Sequence, residues 1–409
     1  MRTPHPLLLT LTLYLAGLGA AGQFSKLAVS FVALTQVYSG KSEAILGLAV
    51  SLISLVGLIL GLVAGIVVSR IGARRALVAA LALGAVMSFW QATLPSLPVL
   101  MLSRVLEGAS HLLIVVAAPT LIAEAVPDRY RPAALTLWST FFGVAFALTA
   151  VIAPWLIAQG GLSLLIGAHG VWMTVACGAI LLVLPHPVIT PAPATRISVL
   201  RRHMTAYATP GIATPALAWL CYTLTFVSVL TALPLLTGGT APTWLAAIAP
   251  LVSIGVALTV GVAILSRHPA QPVVTLGFAL CAGVAVAILF VGFTTATVLL
   301  LFASMALVQS AGFAVVPQIN ADAPSRALAN GALAQMGNLG NLSGTPLLIA
   351  LYQGAPVFGP FLFLITAYGG GVLVTWIVGR RAVAAMDVFV SPASRPDARH
   401  TAPACRSRD

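Results

Sequence analysis

The sequence predicts an all-α membrane protein of twelve transmembrane helices, arranged as two parallel six-helix repeats. Three observations carry that expectation. Of 409 residues, 60% are hydrophobic and 7% charged, with a mean hydropathy of +1.06, a balance outside the range of water-soluble globules. Apolar runs of about 20 residues recur between short polar, Pro or Gly breaks, the length a helix needs to cross a bilayer; the ten-residue alternating segments of a membrane barrel are absent. Finally, PTLIAEAVPDR (Pro119 to Arg129) returns as PQINADAPSR (Pro317 to Arg326), 198 residues later.

In chain order, the spans are expected near residues 7 to 36, 44 to 68, 76 to 94, 98 to 125, 133 to 158, 162 to 184, 212 to 236, 243 to 265, 272 to 293, 295 to 320, 327 to 352 and 356 to 379. Arg2, an apolar run and Gly19-Ala20-Ala21 imitate a signal peptide. The run continues past Lys26 to Val37, too long for a signal core, so it reads as the first helix. Spans five and six are divided only by Gln159, Gly160 and Gly161. The longest internal polar interval, Pro185 to Gly211, splits six spans from six. The organisation expected is therefore a bundle over 1–185, a linker over 186–211, a second bundle over 212–381 and a disordered tail over 382–409.

The net charge of +12 is distributed by topology. Seventeen of the twenty Lys and Arg fall on one side: Arg2, Arg70, Arg74, Arg75, Arg129, Arg131, Arg196, Arg201, Arg202, Arg267, Arg326, Arg380, Arg381 and four in the tail. The opposite loops carry only Lys41. The positive-inside rule then puts both termini in the cytoplasm, in a multi-pass protein of a bacterial inner membrane whose partners are the lipid bilayer and a small-molecule substrate, not nucleic acid. Cys177, Cys221 and Cys281 lie within spans and Cys405 in the tail, which supports neither a disulfide framework nor a metal site. No cofactor is expected, and the chain is read as a monomer.

The repeated motifs end the fourth and tenth spans. A second echo, GIVVSR (Gly65 to Arg70) and GVAILSR (Gly261 to Arg267), ends the second and eighth. Matching order and offset argue for a duplicated six-helix unit in one orientation, a form that secondary transporters use. The chain resembles the major facilitator superfamily over essentially its whole length. Gly65-Ile-Val-Val-Ser69-Arg70-Ile-Gly72-Ala-Arg74-Arg75 looks like that family's G-x-x-x-D-R-x-G-R-R/K signature, with Ser69 in place of the aspartate. Arg104-Val-Leu-Glu-Gly108 is similar to its R-x-x-x-G segment. The Gly-Pro-rich fifth-helix motif typical of antiporters is not evident around Gly143 to Pro154.

Charges inside hydrocarbon are costly and default to functional candidates. Lys26 sits in span one; Arg104, Glu107 and His111 sit on one stripe of span four. The resemblance implies that helices one, four, seven and ten line a central cavity, where these four residues would meet. One reading is a proton-responsive substrate site: Lys26 and Arg104 bind substrate, while Glu107, desolvated beside two cations, and His111, an imidazole, take up and release protons. The other is a permanently charged Arg104–Glu107 structural pair with His111 neutral. Two cations against one acid would favour an anionic or carbonyl-rich solute. Tyr222, Gln309 and Gln335 are further candidates for substrate contact, although helix packing accounts for most polar groups on those spans. Gly57, Gly61 and Gly65 read as a close-packing surface.

Glu124 can reach Arg70 or Arg74, and Asp322 has the matching option with Arg267. The resemblance implies that such pairs gate the cytoplasmic side, with Ser69 unable to supply the missing charge. No G-x-x-x-x-G-K-S/T loop appears, so direct use of ATP is not expected. The chain is read as a secondary active transporter, a proton-coupled exporter of a drug or metabolite. The alternatives are a permease for a small anion such as cyanate and, from another class, a membrane sensor or enzyme. An enzyme would need paired carboxylates, a metal set or an activated nucleophile at membrane depth; His169 has no obvious partner in the sequence.

Overall fold

The structure, a computed structural model, describes residues 5–184, 199–320 and 322–379. All regular structure there is helical: α1 (Pro6–Ala28), α2 (Phe31–Val37), α3 (Glu43–Ser51), α4 (Ser54–Leu60), α5 (Ala64–Ile71), α6 (Ala73–Ala92), α7 (Leu97–Ala125), α8 (Arg131–Ser139), α9 (Phe141–Val183), α10 (Val199–Ala208), α11 (Pro210–Leu236), α12 (Leu245–Val256), α13 (Val262–Leu265), α14 (Ala270–Val291), α15 (Thr295–Ile319), α16 (Ala323–Gly354) and α17 (Phe358–Leu373). Wide π-type turns join α12 to α13 and extend α17.

Among the described residues, nine helices are long and apolar enough to span a membrane, or ten if the bent pair α3 and α4 counts as one. This count differs from the twelve spans expected at two places. The fifth and sixth spans run on as α9, whose 43 residues are interrupted at Gly160 (φ −154°, ψ 23°) and Gly161 (φ 66°, ψ −167°). Only glycine adopts the Gly161 backbone without strain. Helix α16 is long enough, but its Asn, Gln, Ser and Gly content dilutes its hydropathy.

The second expected span is broken into α3, α4 and α5, with 52° between the first two. Gly72, at φ 91° and ψ 130°, ends α5 and begins α6 in a single residue, which gives that motif glycine a backbone role. The expected linker is helical from Val199 as α10, and the next helix starts at Pro210 rather than residue 212. Arg2, Arg196, Arg380, Arg381 and Cys405, the earlier part of the linker and the tail lie outside the described residues.

Helices of residues 6–183 pack mainly with each other, as do those of 199–379; the two sets meet where α3 and α4 lie along α16 and α9 lies along α12. Small residues set these approaches. A Cβ on Gly57 would strike the Asn338 amide and one on Gly61 would lie 3.4 Å from the Gln335 backbone, whereas Gly65 faces open space. The expected packing surface thus stops after two glycines. At the far end of this seam Gln353 donates to Glu43 at 3.0 Å.

Candidate functional site

Lys26, Arg104 and Glu107 converge, each no more than 1% exposed. Lys26 Nζ lies 2.6 Å from Glu107 Oε1, and Arg104 Nη1 pairs with Oε2. Taking three charges out of water costs several kcal/mol per ion, on the order of what good geometry returns, so the remaining hydrogens decide whether the arrangement holds. They are well used. Lys26 also donates to Ser88 Oγ at 2.8 Å, and Gln91 Nε2 donates to Glu107 Oε2 at 2.9 Å.

Arg104 does more than pair. Its Nε donates to the Ala49 carbonyl at 3.1 Å, Nη2 to Val50 at 2.9 Å and Nη1 to Gln23 at 2.8 Å. Ala49 and Val50 belong to the last turn of α3, where carbonyls lack donors from their own helix and a cation is favoured. One turn further along α7, Gly108 has no side chain, and a Cβ there would run into the Ile53 carbonyl inside the break between α3 and α4. The Arg104-x-x-x-Gly108 segment is therefore the seat of that break.

Of the four residues that the resemblance would bring together, Lys26, Arg104 and Glu107 share one network and His111 does not bond to it. The hydrogen-bond partners of these three charges lie on α1, α3, α6 and α7, all before residue 185, and most hydrogens of both cations are committed there. The surplus of positive charge expected to face a solute therefore sits wholly buried among these four helices. His111 stands apart: Nδ1 meets the Ala20 carbonyl at 3.0 Å and its ring meets Phe24 edge-on at 5.0 Å.

Sequence reasoning missed Ser88, Gln91 and His169. His169, half-buried on α9, has Nδ1 at 2.8 Å from Ser88 Oγ and Nε2 at 2.9 Å from the Gly19 carbonyl. The available signal was polar spacing on apolar helices: Gln23 and Lys26 three apart on α1, Ser88 and Gln91 three apart on α6. Both glutamines carry a buried Oε1 that finds no donor among the described residues.

From Phe24 a row of rings crosses to the later helices. Phe24 lies 5.7 Å from Phe142, Phe142 lies 6.1 Å from Phe226, and Tyr222 lies 5.8 Å from Phe226 and 4.7 Å from Trp219, which meets Phe313 at 4.8 Å. Spans one, five, seven and ten are joined through it. Tyr222 belongs to this row and is 5% exposed.

Gln309 and Gln335 do not join it. Gln309 accepts from Ser253 at 3.1 Å. Gln335 donates to the Leu58 carbonyl at 2.7 Å, lies 2.8 Å from His203 Nε2 and accepts from Tyr207 at 2.6 Å. Its amide ties α10, α4 and α16 together, leaving it no hydrogen for a solute.

Among the described residues no ion pair joins Glu124 to Arg70 or Arg74, or Asp322 to Arg267. Arg74, 6% exposed, donates instead to the carbonyls of Leu184 at 2.9 Å and Leu181 at 3.2 Å, at the end of α9. Those carbonyls are the unsatisfied end of a helix, a stronger lure than an exposed carboxylate. Glu124, Arg70 and Arg267 are exposed. Ser69 lies in α5, and its side chain falls outside the described ones. Asp322 caps α16 by accepting from the Ser325 N–H at 2.8 Å, and that bond holds its carboxyl below the usual carboxylate range.

Among curated proteins none matches the chain. The family model described as Major Facilitator Superfamily matches residues 13–345. That span takes in the Gly65 to Arg75 motif, the buried charge cluster, the ring row and Gln335, and with well over half of the sequence matched, the chain belongs to the major facilitator superfamily, a family of membrane transporters rather than enzymes.

Proposed function

We propose that this transporter is a proton-coupled secondary exporter of a drug or metabolite, working by alternating access as a monomer of twelve spans in two six-helix bundles, with both termini in the cytoplasm of a bacterial inner membrane. The carrying observation is Glu107. One wholly buried carboxylate holds Lys26 of α1 and Arg104 of α7, and Arg104 in turn holds the end of α3. A proton on Glu107 removes the counter-charge of both cations, so α1, α3 and α7 lose a common tie. Because α3 and α4 pack along α16, a change at their break is felt between the proposed bundles. That is the kind of two-state element by which ion binding biases a conformational equilibrium.

The solute contacts proposed are Tyr222 and the rings around it, with Gln309 nearby on span ten. Wholly buried cations and an aromatic row favour an apolar or aromatic solute over the small-anion permease reading. Lys26 and Arg104 then act through Glu107 rather than on the solute, and Gln335 acts as an interhelical tie. His111 is kept as a second proton-exchanging group. The cytoplasmic gate is assigned to Ser69, Arg70, Arg74, Glu124, Arg267 and Asp322, with pairs that form in another state of the cycle.

The test is flux in proteoliposomes under an imposed pH gradient, with lipophilic aromatic dyes and small anions offered in parallel. Dye movement that follows the gradient and collapses with a protonophore is expected. Anion flux alone, or flux indifferent to pH, would refute the proposal.

A further inference from the structure

His169 has surroundings that fix its chemistry closely. Its Nε2 faces the Gly19 carbonyl, which can only accept, so Nε2 carries a hydrogen. The open ring position is Nδ1. Opposite it, Ser88 has one hydrogen to give and two acceptors in reach: Nδ1 at 2.8 Å and Glu107 Oε1 at 3.4 Å. Lys26 supplies a hydrogen to the Ser88 oxygen.

With a neutral ring the Ser88 hydroxyl points to Nδ1. With a proton on Nδ1 the ring donates to Ser88, and the hydroxyl turns to Glu107. Both arrangements satisfy every group without moving a heavy atom. Glu107 offers a proton only the Oε1 site turned to Ser88, since its other acceptor sites take hydrogens from Lys26, Arg104 and Gln91. His169 is also a partly buried end of a network whose charged members are wholly buried. Gly22 makes room for it, as a Cβ there would lie 2.7 Å from the ring's Cδ2.

We infer that His169 is a proton-binding site, the port through which a proton from water reaches Glu107, with Ser88 as the relay between them. The inference rests on Glu107 being the coupling carboxylate. The Ser88 hydroxyl turns from Nδ1 to Glu107 Oε1, and the lone pair so freed on Nδ1 takes a proton from hydronium, which leaves as water. The Ser88 proton then passes to Glu107 Oε1 while the Nδ1 proton replaces it on Ser88, so ring and carboxylate both end neutral. The charged groups facing the ring are Lys26 from α1 and Arg104 and Glu107 from α7; α6 offers the neutral Ser88 and Gln91, and His111 bonds instead to Ala20.

The experiment is solid-state NMR of isotope-labelled histidine ring nitrogens in the full chain reconstituted in lipid vesicles. Spectra are recorded from about pH 8 down to about pH 4, either side of the ordinary imidazole value. The signal that vanishes in His169→Gln belongs to this ring. Expected is one protonated and one hydrogen-bonded bare nitrogen at the upper end, both protonated at the lower, with Ser88→Ala displacing that signal alone. A bare nitrogen that persists through the whole range overturns the inference. Should His169→Gln fail to fold, Ser88→Ala keeps the ring, marks the same signal by its displacement and is judged by the same criterion. No solute enters the measurement, so a titrating ring beside pH-indifferent flux sinks the coupling proposal and leaves the proton site standing.

Discussion

Arg104 holds the carbonyl of Val50 at 2.9 Å, in the last turn of a helix that breaks two residues later. The same guanidinium holds Ala49, Gln23 and Glu107. One side chain thus joins a buried carboxylate to the bend of a neighbouring helix. A planar fork is suited to this, because its hydrogens diverge in fixed directions.

Arg104→Lys keeps the charge and loses the fork. An ammonium cannot reach α1, α3 and Glu107 together, so a loss of roughly 1–3 kcal/mol is expected from donors and acceptors left unpaired. Arg104→Met removes the charge as well, and the stranded partner raises the loss to about 3–5 kcal/mol. Denaturant unfolding in micelles measures both; equal stability of Arg104→Lys and the parent chain would show that the fork is not needed.

Gly108→Ala drives a methyl into the Ile53 carbonyl, whereas Gly65→Ala adds one where nothing lies within 4 Å. The first is expected to cost about 1–3 kcal/mol as overpacking. The second is expected to be neutral or slightly stabilising. Melting temperatures of the two variants, side by side, separate a local clash from a general intolerance of substitution.

Most of what was legible came from residue types that are expensive in lipid. Lys26, Arg104 and Glu107 stand out because a bilayer tolerates so few charges, and their helix spacing put two of them on one stripe. Ser88, Gln91 and His169 did not, since a neutral polar residue on an apolar helix looks the same whether it bonds its own backbone, as Thr223 does, or a distant charge. Motif spacing located Arg74 near a loop but not its true acceptors, the carbonyls that α9 leaves open where it ends. Likewise the amides of Gln309 and Gln335 announced a polar face, while their partners on α12, α4 and α10 depend on tertiary packing.

The coupling between Lys26 and Glu107 is open to a double-mutant cycle. Lys26→Met alone leaves an acid with one counter-charge fewer, and Glu107→Gln alone leaves two cations facing a neutral amide. The double variant should recover part of the combined loss, with an interaction term of about 0.5–3 kcal/mol. Strict additivity in thermal unfolding would mean that the two side chains do not share one site.

Tyr207→Phe removes the hydroxyl that Gln335 accepts and is expected to cost about 0.5–1.5 kcal/mol. Faster amide exchange should appear in Val199–Ala208. Burial pushes the Tyr207 phenol up to about 12. Its folded value thus exceeds its free value of about 10, so its contribution is full below about pH 10 and fades as pH climbs toward about 12. Parent and Tyr207→Phe should therefore differ in stability by the same amount at neutral and mildly acidic pH; a gap that closes under acid would contradict this.

The most direct measurement compares Glu107→Gln with the parent chain in proteoliposomes, following dye movement under a pH gradient and, separately, dye exchange with no gradient. Loss of the gradient-driven component by about tenfold or more, with exchange retained, is the expected result. Gradient-driven flux that survives the substitution unchanged would remove the buried carboxylate from the coupling mechanism.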